Sequence, residues 1–503
     1  MSEIPQVGST LTHPFYGQGT VVRHVRGGRY LMVAFGGNRV PYQIRPEELN
    51  PPEPAPPPPT PVLVESARPE PPRPAPPLPP ARPRDVPRSA EGALKVLEAL
   101  RLGVVPSQWI ESYTVAREVE LQWVDLDLEE AAREGSARVF LGDYGTGKTH
   151  LLESIEQRAL SQNFLVARLT LDDDEVSAAH PKRVYRALIN ALRYPDQPWG
   201  RGLAPLFDRL LEARKLAVEL ERERPGFHHY LSPTLAYYRE LAPRSDEAAL
   251  LEGLMDWIEG HPSESNLELE PQLRRVTGVR GHRLYALMDY RPWAHLYAYL
   301  VGGLSVWAER AGYGGLAVLF DEAEFYALLS SASRDFADLV FGYYTSAAMG
   351  PRRCRFDLDN AQRGGHSIHR SFPPRYAERQ PLYCVFAMTE DPAGVGALAR
   401  LLEPDRLNRI RPLSLPDYQE LCRRLVEIYR LAYPDFTVGA EVQRPMGQVV
   451  YSGVERGVFE NPRQVLKFIL EMLDISRLCR DQVPAYVKEV LTHLRGESLG
   501  AAP

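Results

Sequence analysis

The segment that most constrains the fold of this 503-residue chain is residues 142–149, which read GDYGTGKT and fit the pattern GxxxxGK[ST] in full. The segment follows an apolar run at 137–141 and leads into HLLESIEQRAL, where apolar residues have helical spacing. A strand–loop–helix unit of this kind binds phosphate, because glycines let backbone amides surround the oxygens and the helix N-terminus adds positive charge. The pattern therefore predicts a nucleotide site in an α/β fold.

Every residue of this loop is a candidate for contact with the nucleotide: Gly142, Asp143, Tyr144, Gly145, Thr146, Gly147, Lys148 and Thr149. We expect Lys148 to reach the β- and γ-phosphates and the Thr149 hydroxyl to bind Mg²⁺. Lys148 is one of only six lysines in a chain that carries 59 basic residues, which makes its position within the motif more informative.

A second motif, LAVLFDE, occupies residues 316–322. Its apolar part predicts a buried central strand whose carboxyl end carries an acidic pair. We expect Asp321 to hold Mg²⁺ and Glu322 to activate the water that attacks the γ-phosphate. Glu324 is expected at the surface or behind this pair. Since the guanine-specifying Asn-Lys-x-Asp is absent from the sequence, the predicted nucleotide is ATP.

The order of apolar runs predicts the fold class. Strand patterns at 137–141, 164–171, 316–320 and 382–388 alternate with helical stretches, which indicates a parallel sheet flanked by helices. Residues 195–310 are rich in Tyr, Leu and Glu without a convincing strand, and predict a helical insert.

Residues 1–50 predict a small β-barrel, because short apolar runs are separated by glycine pairs. Residues 51–88 hold 18 of the 46 prolines and predict an extended linker, since proline fixes φ and removes amide donors. The opening THPFYGQGTVV resembles SH3- and Tudor-like modules of UvrD-type helicases and CarD-type regulators. The resemblance implies interaction with a polymerase, a helicase or nucleic acid; a role in solubility or assembly is the alternative.

Composition and charge exclude several classes of protein. The net charge of −6 argues against a generally cationic nucleic-acid coat protein, and the four separated cysteines against a zinc or disulfide scaffold. No apolar run reaches membrane-spanning length and the N-terminus lacks a signal pattern, so we expect a cytoplasmic protein without membrane contact. The segment 351–380 carries seven arginines with His366 and His369. It could contact phosphate backbone, deliver an arginine to another subunit, or form a solvated loop.

Three segments after the acidic pair resemble AAA+ ATPases. Thr389, after the run LYCVFAM, matches the sensor-1 position. Arg406 and Arg409 match the region of the arginine finger that reaches into a neighbouring subunit. Arg463, in NPRQVL, resembles the sensor-2 arginine of the helical lid.

The motifs LRxGxxP, FLGDYGTGKTHLL, AGYGGLAVLFDEAE and NPRQVLKFI together resemble the ATP-binding proteins of BREX bacteriophage-exclusion systems, in their smaller branch, over about residues 93–473. The resemblance implies an AAA+ P-loop core at 89–412 with the insert 195–310, and a C-terminal helical lid at 413–503. It also implies hydrolysis of Mg-ATP to remodel or license a protein–DNA assembly. The implied partners are further copies of the chain, DNA, or defence proteins such as a helicase. The alternative is a nucleotide-controlled scaffold with little turnover that recruits a helicase or methyltransferase.

Overall fold

The computed structural model describes residues 5–13, 17–25, 30–35, 42–44 and 86–495, except 107, 213–226, 359, 362, 365 and 366. The chain divides into two compact units, Met1–Pro77 and Leu78–Pro503. The predicted linker therefore lies outside the described residues, apart from 86–88, as do the two glycine pairs of the first unit and His366.

The first unit contains a four-stranded antiparallel sheet in the order β1-β2-β3-β4, and its strands are β1 (Thr10–His13), β2 (Gly17–Val25), β3 (Tyr30–Phe35) and β4 (Tyr42–Ile44). Val21, Leu31 and Val33 are buried on one face. The sheet agrees with the predicted β content of residues 1–50. Closure into an SH3- or Tudor-like barrel stays a prediction.

The second unit is built on a six-stranded sheet in the order β10-β5-β9-β8-β6-β7. Its strands are β5 (Ser136–Leu141), β6 (Leu165–Thr170), β7 (Leu192–Arg193), β8 (Leu316–Asp321), β9 (Leu382–Met388) and β10 (Leu407–Arg409). Pairing is parallel from β10 to β6, and only β7 is antiparallel to its neighbour. The mixed α/β class with a mostly parallel sheet is confirmed, as are the four predicted strands.

The second unit also contains the following described α-helices. They are α1 (Ala90–Arg101), α2 (Glu118–Glu134), α3 (Lys148–Ser161), α4 (Pro181–Asn190), α5 (Ala204–Glu212), α6 (Leu231–Leu241), α7 (Ala248–Glu259), α8 (Asn266–Thr277), α9 (Ala294–Arg310), α10 (Ser331–Met349), α11 (Ser367–Ser371), α12 (Pro392–Ala399), α13 (Leu415–Ala432), α14 (Ala440–Glu455), α15 (Pro462–Leu478) and α16 (Val483–Arg495). The described residues of 195–310 form helices and connecting segments and no strand. Among the described helices, none combines the length and apolar character that crossing a membrane requires.

Alternating strand residues build two cores, because successive side chains point to opposite faces of a sheet. Phe140 of β5 and Leu319 of β8 pack with α2 and α3, whereas Val139 and Phe320 belong to a larger core with the insert helices. A third core joins α1 to α13, α14 and α15. The first helix of the unit thus packs with the C-terminal helices, although it precedes the phosphate-loop motif in the chain.

Several arginines of the basic segment 351–380 make contacts within the chain. Arg353 donates to the carbonyl oxygens of Glu134 and Gly135 at the end of α2 (2.9 and 2.8 Å), and Arg375 to that of Ala347 near the end of α10 (2.8 Å). Arg379 pairs with Glu309 at 2.6 Å. Cations commonly satisfy the free carbonyls at helix ends, so the contacts of Arg353 and Arg375 favour a structural role for these two side chains.

Candidate nucleotide-binding site

The loop 142–149 connects the carboxyl end of β5 to the start of α3. Gly145 and Gly147 have φ of +83° and +94°, a conformation that side chains with a Cβ rarely adopt. The loop is closed by a turn in which the Thr146 amide donates to the Asp143 carbonyl over 3.2 Å. Lys148 opens α3 and is buried, whereas Asp143, Tyr144 and Thr149 are exposed. The loop therefore lies between a strand and a helix, in the setting that the sequence predicts.

The Lys148 ammonium lies at the carboxyl edge of the sheet. It donates to the Gly142 carbonyl over 3.0 Å and to the Thr389 hydroxyl over 2.9 Å. Thr389 follows β9 directly, and β9 lies between β5 and β8, so this strand carries its polar residue between the loop and the acidic pair. An ammonium has three protons, so one stays available for a phosphate oxygen.

Asp321 and Glu322 sit at the end of β8, at the same sheet edge. Asp321 is buried, and its Oδ1 accepts the amide of Glu322 over 3.0 Å. Glu322 has a φ of +56°, which is uncommon for a residue with a side chain, and strained conformations of this kind cluster at functional sites. Burial raises the pKa of the Glu322 carboxyl to about 7, with further contributions from the negative charges of Glu324 and Asp321.

Glu324 is the residue whose position the sequence did not reveal. It lies in the short 3-10 helix Ala323–Leu328, and its side chain is only 18% exposed. Its Oε1 accepts the Thr389 hydroxyl proton at 2.5 Å and lies 3.8 Å from the Lys148 ammonium. Only the short distance in sequence from Glu322 hinted at this arrangement, because the contacts depend on β9 being inserted between the two motif strands.

The predicted Mg²⁺ ligands are a hydroxyl, on Thr149, and a carboxylate, on Asp321. Both are oxygen donors of the kind that Mg²⁺ prefers, so the pair fits the ion, with phosphate and water completing the coordination. One neighbour competes with a cation at this place: Arg168 of β6 donates to Asp321 Oδ2 over 3.2 Å and to Glu153 over 2.7 Å. Within the described residues, no group of three His, Cys, Asp or Glu could hold a metal by itself.

A buried arginine ties the phosphate loop to the segments around it. Arg117 donates to the carbonyl oxygen of Thr146 over 2.7 Å and to that of Arg411, which follows β10, over 2.9 Å. Burial lowers the pKa of its guanidinium from the usual value, and Glu120 opposes this at 3.8 Å. Arg117, which directly precedes α2, thereby links the loop to the start of that helix. No local sequence pattern distinguishes it from the other arginines.

The first turn of α15 approaches the loop. A Cβ placed on Gly145 would lie 2.6 Å from the Cβ of Asn461, the residue that caps α15. Arg463 stands two residues further along, in the same turn, and is exposed. The structure therefore brings the predicted sensor-2 segment to the phosphate loop.

The two arginine-finger candidates differ in their surroundings. Arg406 is 17% exposed and pairs with Asp127 and Glu130, both at 2.9 Å. Arg409 is 77% exposed and pairs with Glu390. It ends β10 opposite Leu141, next to the phosphate loop. Arg406 is thus held inside the chain, whereas Arg409 projects from the edge that carries the candidate site.

Comparison with known proteins gives three findings. No curated protein matches the chain. Among solved structures, the chain is similar to the Aeropyrum pernix ORC1 protein in complex with DNA, with 13% identity and a TM-score of 0.32 over 79% of this chain and 69% of that one. Residues 89–231, which include the phosphate loop, match the family of BREX system ATP-binding proteins BrxC/D.

Proposed function

We propose that this protein is an AAA+ ATPase that binds and hydrolyses Mg-ATP and acts in a BREX-type defence system against bacteriophages. The observation that carries the proposal is the convergence of Lys148, Thr389, Asp321 and Glu322 at one edge of a parallel sheet. The family match over the segment that contains the phosphate loop supports ATP as the ligand.

The proposed chemistry assigns one task to each group. The amides of residues 142–149 and the Lys148 ammonium bind the phosphates, and Thr149 and Asp321 hold Mg²⁺, which neutralises phosphate charge. Glu322 accepts a proton from the attacking water, and Thr389 orients the reacting groups. Arg463 contacts the γ-phosphate from the lid, which couples nucleotide state to the position of α15.

We place the arginine finger at Arg409 rather than Arg406, because an exposed side chain can reach a neighbouring copy and one held by two carboxylates cannot. On this assignment turnover requires assembly of several copies. Hydrolysis then drives remodelling or licensing of a protein–DNA assembly, with DNA or a helicase of the same defence system as partner.

Phosphate release by the full chain tests the proposal, measured at increasing protein concentration with and without DNA. We expect turnover to rise with concentration, and Lys148→Ala to lower it by about 100-fold or more, as losses of charge stabilisation at a reacting phosphoryl group do. Lys95→Ala, which removes an exposed lysine paired with Glu91, is the matched control and should keep full turnover. Equal turnover in the two variants would contradict the assignment.

A second candidate is a nucleotide-controlled scaffold with little turnover. One observation favours it. Thr389, the predicted sensor-1 residue, donates its only hydroxyl proton to Glu324, so this proton is not available to a phosphate oxygen. Tight ATP binding with negligible phosphate release, unchanged by DNA or concentration, would select this candidate. Light scattering with and without Mg-ATP separates the two further, since a strict monomer has no arginine finger in trans.

A further inference from the structure

Glu324 makes contacts that the proposed mechanism leaves unused. Its carboxylate touches the two groups that would bind a γ-phosphate, the Lys148 ammonium and the Thr389 hydroxyl. We propose that Glu324 is a positioning residue that competes with the γ-phosphate for Lys148 and Thr389, and thereby sets how strongly the site prefers ATP over ADP. This inference rests on the proposed function.

The first part of the argument concerns protons. A threonine hydroxyl has one proton to donate, and Thr389 donates it to Glu324 Oε1 while accepting from Lys148. For Thr389 to donate to a phosphate oxygen, the hydrogen bond to Glu324 must break. The two acceptors therefore compete for the same proton.

The second part concerns charge. The Glu324 carboxylate lies 3.8 Å from the Lys148 ammonium in a half-buried site, where charge–charge interactions exceed those in water. The same carboxylate repels a γ-phosphate that approaches Lys148. ADP lacks the γ-phosphate, so the repulsion acts on ATP much more than on ADP.

The third part concerns the surroundings of Glu324. Its other oxygen, Oε2, is buried and has no hydrogen-bond partner among the described residues. Glu324 lies in the 3-10 helix that follows Glu322, two residues from the proposed base. Replacement of its contacts by a γ-phosphate thus links nucleotide recognition to the Glu322 position.

The test measures the affinities of the full chain for Mg-AMP-PNP, a non-hydrolysable ATP analogue, and for Mg-ADP by calorimetry. Glu324→Gln keeps an oxygen that accepts from Thr389 but removes the charge. We expect it to raise the ratio of AMP-PNP to ADP affinity by about fivefold or more. Glu324→Ala, which removes both the acceptor and the charge, should raise the ratio at least as much. Glu403→Gln, an exposed carboxylate paired with Arg355, should leave it unchanged.

An unchanged ratio in Glu324→Gln and Glu324→Ala, with thermal unfolding like that of the wild type, overturns the inference. The proposed function survives that result as long as Lys148→Ala loses nucleotide binding. Failure of the wild-type chain to bind either nucleotide instead overturns the proposed function, and with it the inference.

Discussion

The Lys148 ammonium donates to the Thr389 hydroxyl over 2.9 Å, although 241 residues separate them in the chain. This contact exists because β9, the strand before Thr389, pairs in parallel with β5, the strand before the phosphate loop. Residues that follow neighbouring parallel strands meet at one sheet edge, which is where ligands bind in open α/β sheets. The candidate site is a direct consequence of this strand order.

The contrast between the two arginines predicts different effects of the same substitution. Arg406→Ala should lower the free energy of unfolding by about 2 kcal/mol or more, because it leaves buried Asp127 with one cation fewer. Arg409→Ala should change stability by less than about 1 kcal/mol, since its ion pair is exposed. Urea unfolding measures both values.

If Arg409 is the finger, Arg409→Ala should also abolish turnover while preserving nucleotide binding. A mixture of Arg409→Ala and Lys148→Ala should regain activity, because a subunit with an intact phosphate loop then meets a neighbour with an intact arginine. Equal loss of stability in the two arginine variants, or no recovery in the mixture, would argue against placing the finger at Arg409.

Gly145→Ala should weaken ATP binding because the new methyl group collides with Asn461 at the start of α15. Gly457→Ala is the matched control: Gly457 also has a positive φ, of +68°, but no atom lies within 4 Å of a Cβ built there. Both variants pay about 1 kcal/mol of backbone strain, and only Gly145→Ala should lose nucleotide affinity. Equal affinities would show that α15 does not need to approach the loop.

The sequence was sufficient for the four longer strands of the second unit's sheet and for the two motifs, because buried strands and glycine-rich loops have strong local patterns. Residues 382–388 were predicted as a strand and form β9 with those bounds. The two-residue β7 was missed, since a pairing that short has no periodicity. The contacts of Glu324 and Arg117 were not predictable, because both side chains contact segments distant in sequence, and no local pattern specifies such contacts.

His228 should make the fold sensitive to acid. Its Nδ1 accepts hydrogen bonds from the amides of Tyr230 and Leu231 at 3.2 and 3.1 Å. This nitrogen therefore carries no proton in the folded state, and the ring is neutral. Burial lowers its pKa to about 3, below the value of about 6.5 in the unfolded chain. Between these values the unfolded state binds the extra proton, so stability falls as pH falls.

From pH 7.5 to 5.5 the contribution of His228 amounts to about 1.4 kcal/mol of lost unfolding free energy. His228→Asn lacks the titrating ring, so its stability should decline less over this range. Urea unfolding of both proteins at the two pH values makes the comparison. Parallel declines would mean that His228 is protonated without cost in the folded state.

The central claim is that Glu322 activates water for attack on an ATP bound at residues 142–149. It is tested most directly by incubating Glu322→Gln with Mg-ATP, removing free nucleotide by gel filtration, and identifying what remains bound. We predict intact ATP on the variant and ADP on the wild type, because the amide cannot accept the proton of the attacking water. ADP on Glu322→Gln, formed at the wild-type rate, would contradict the account.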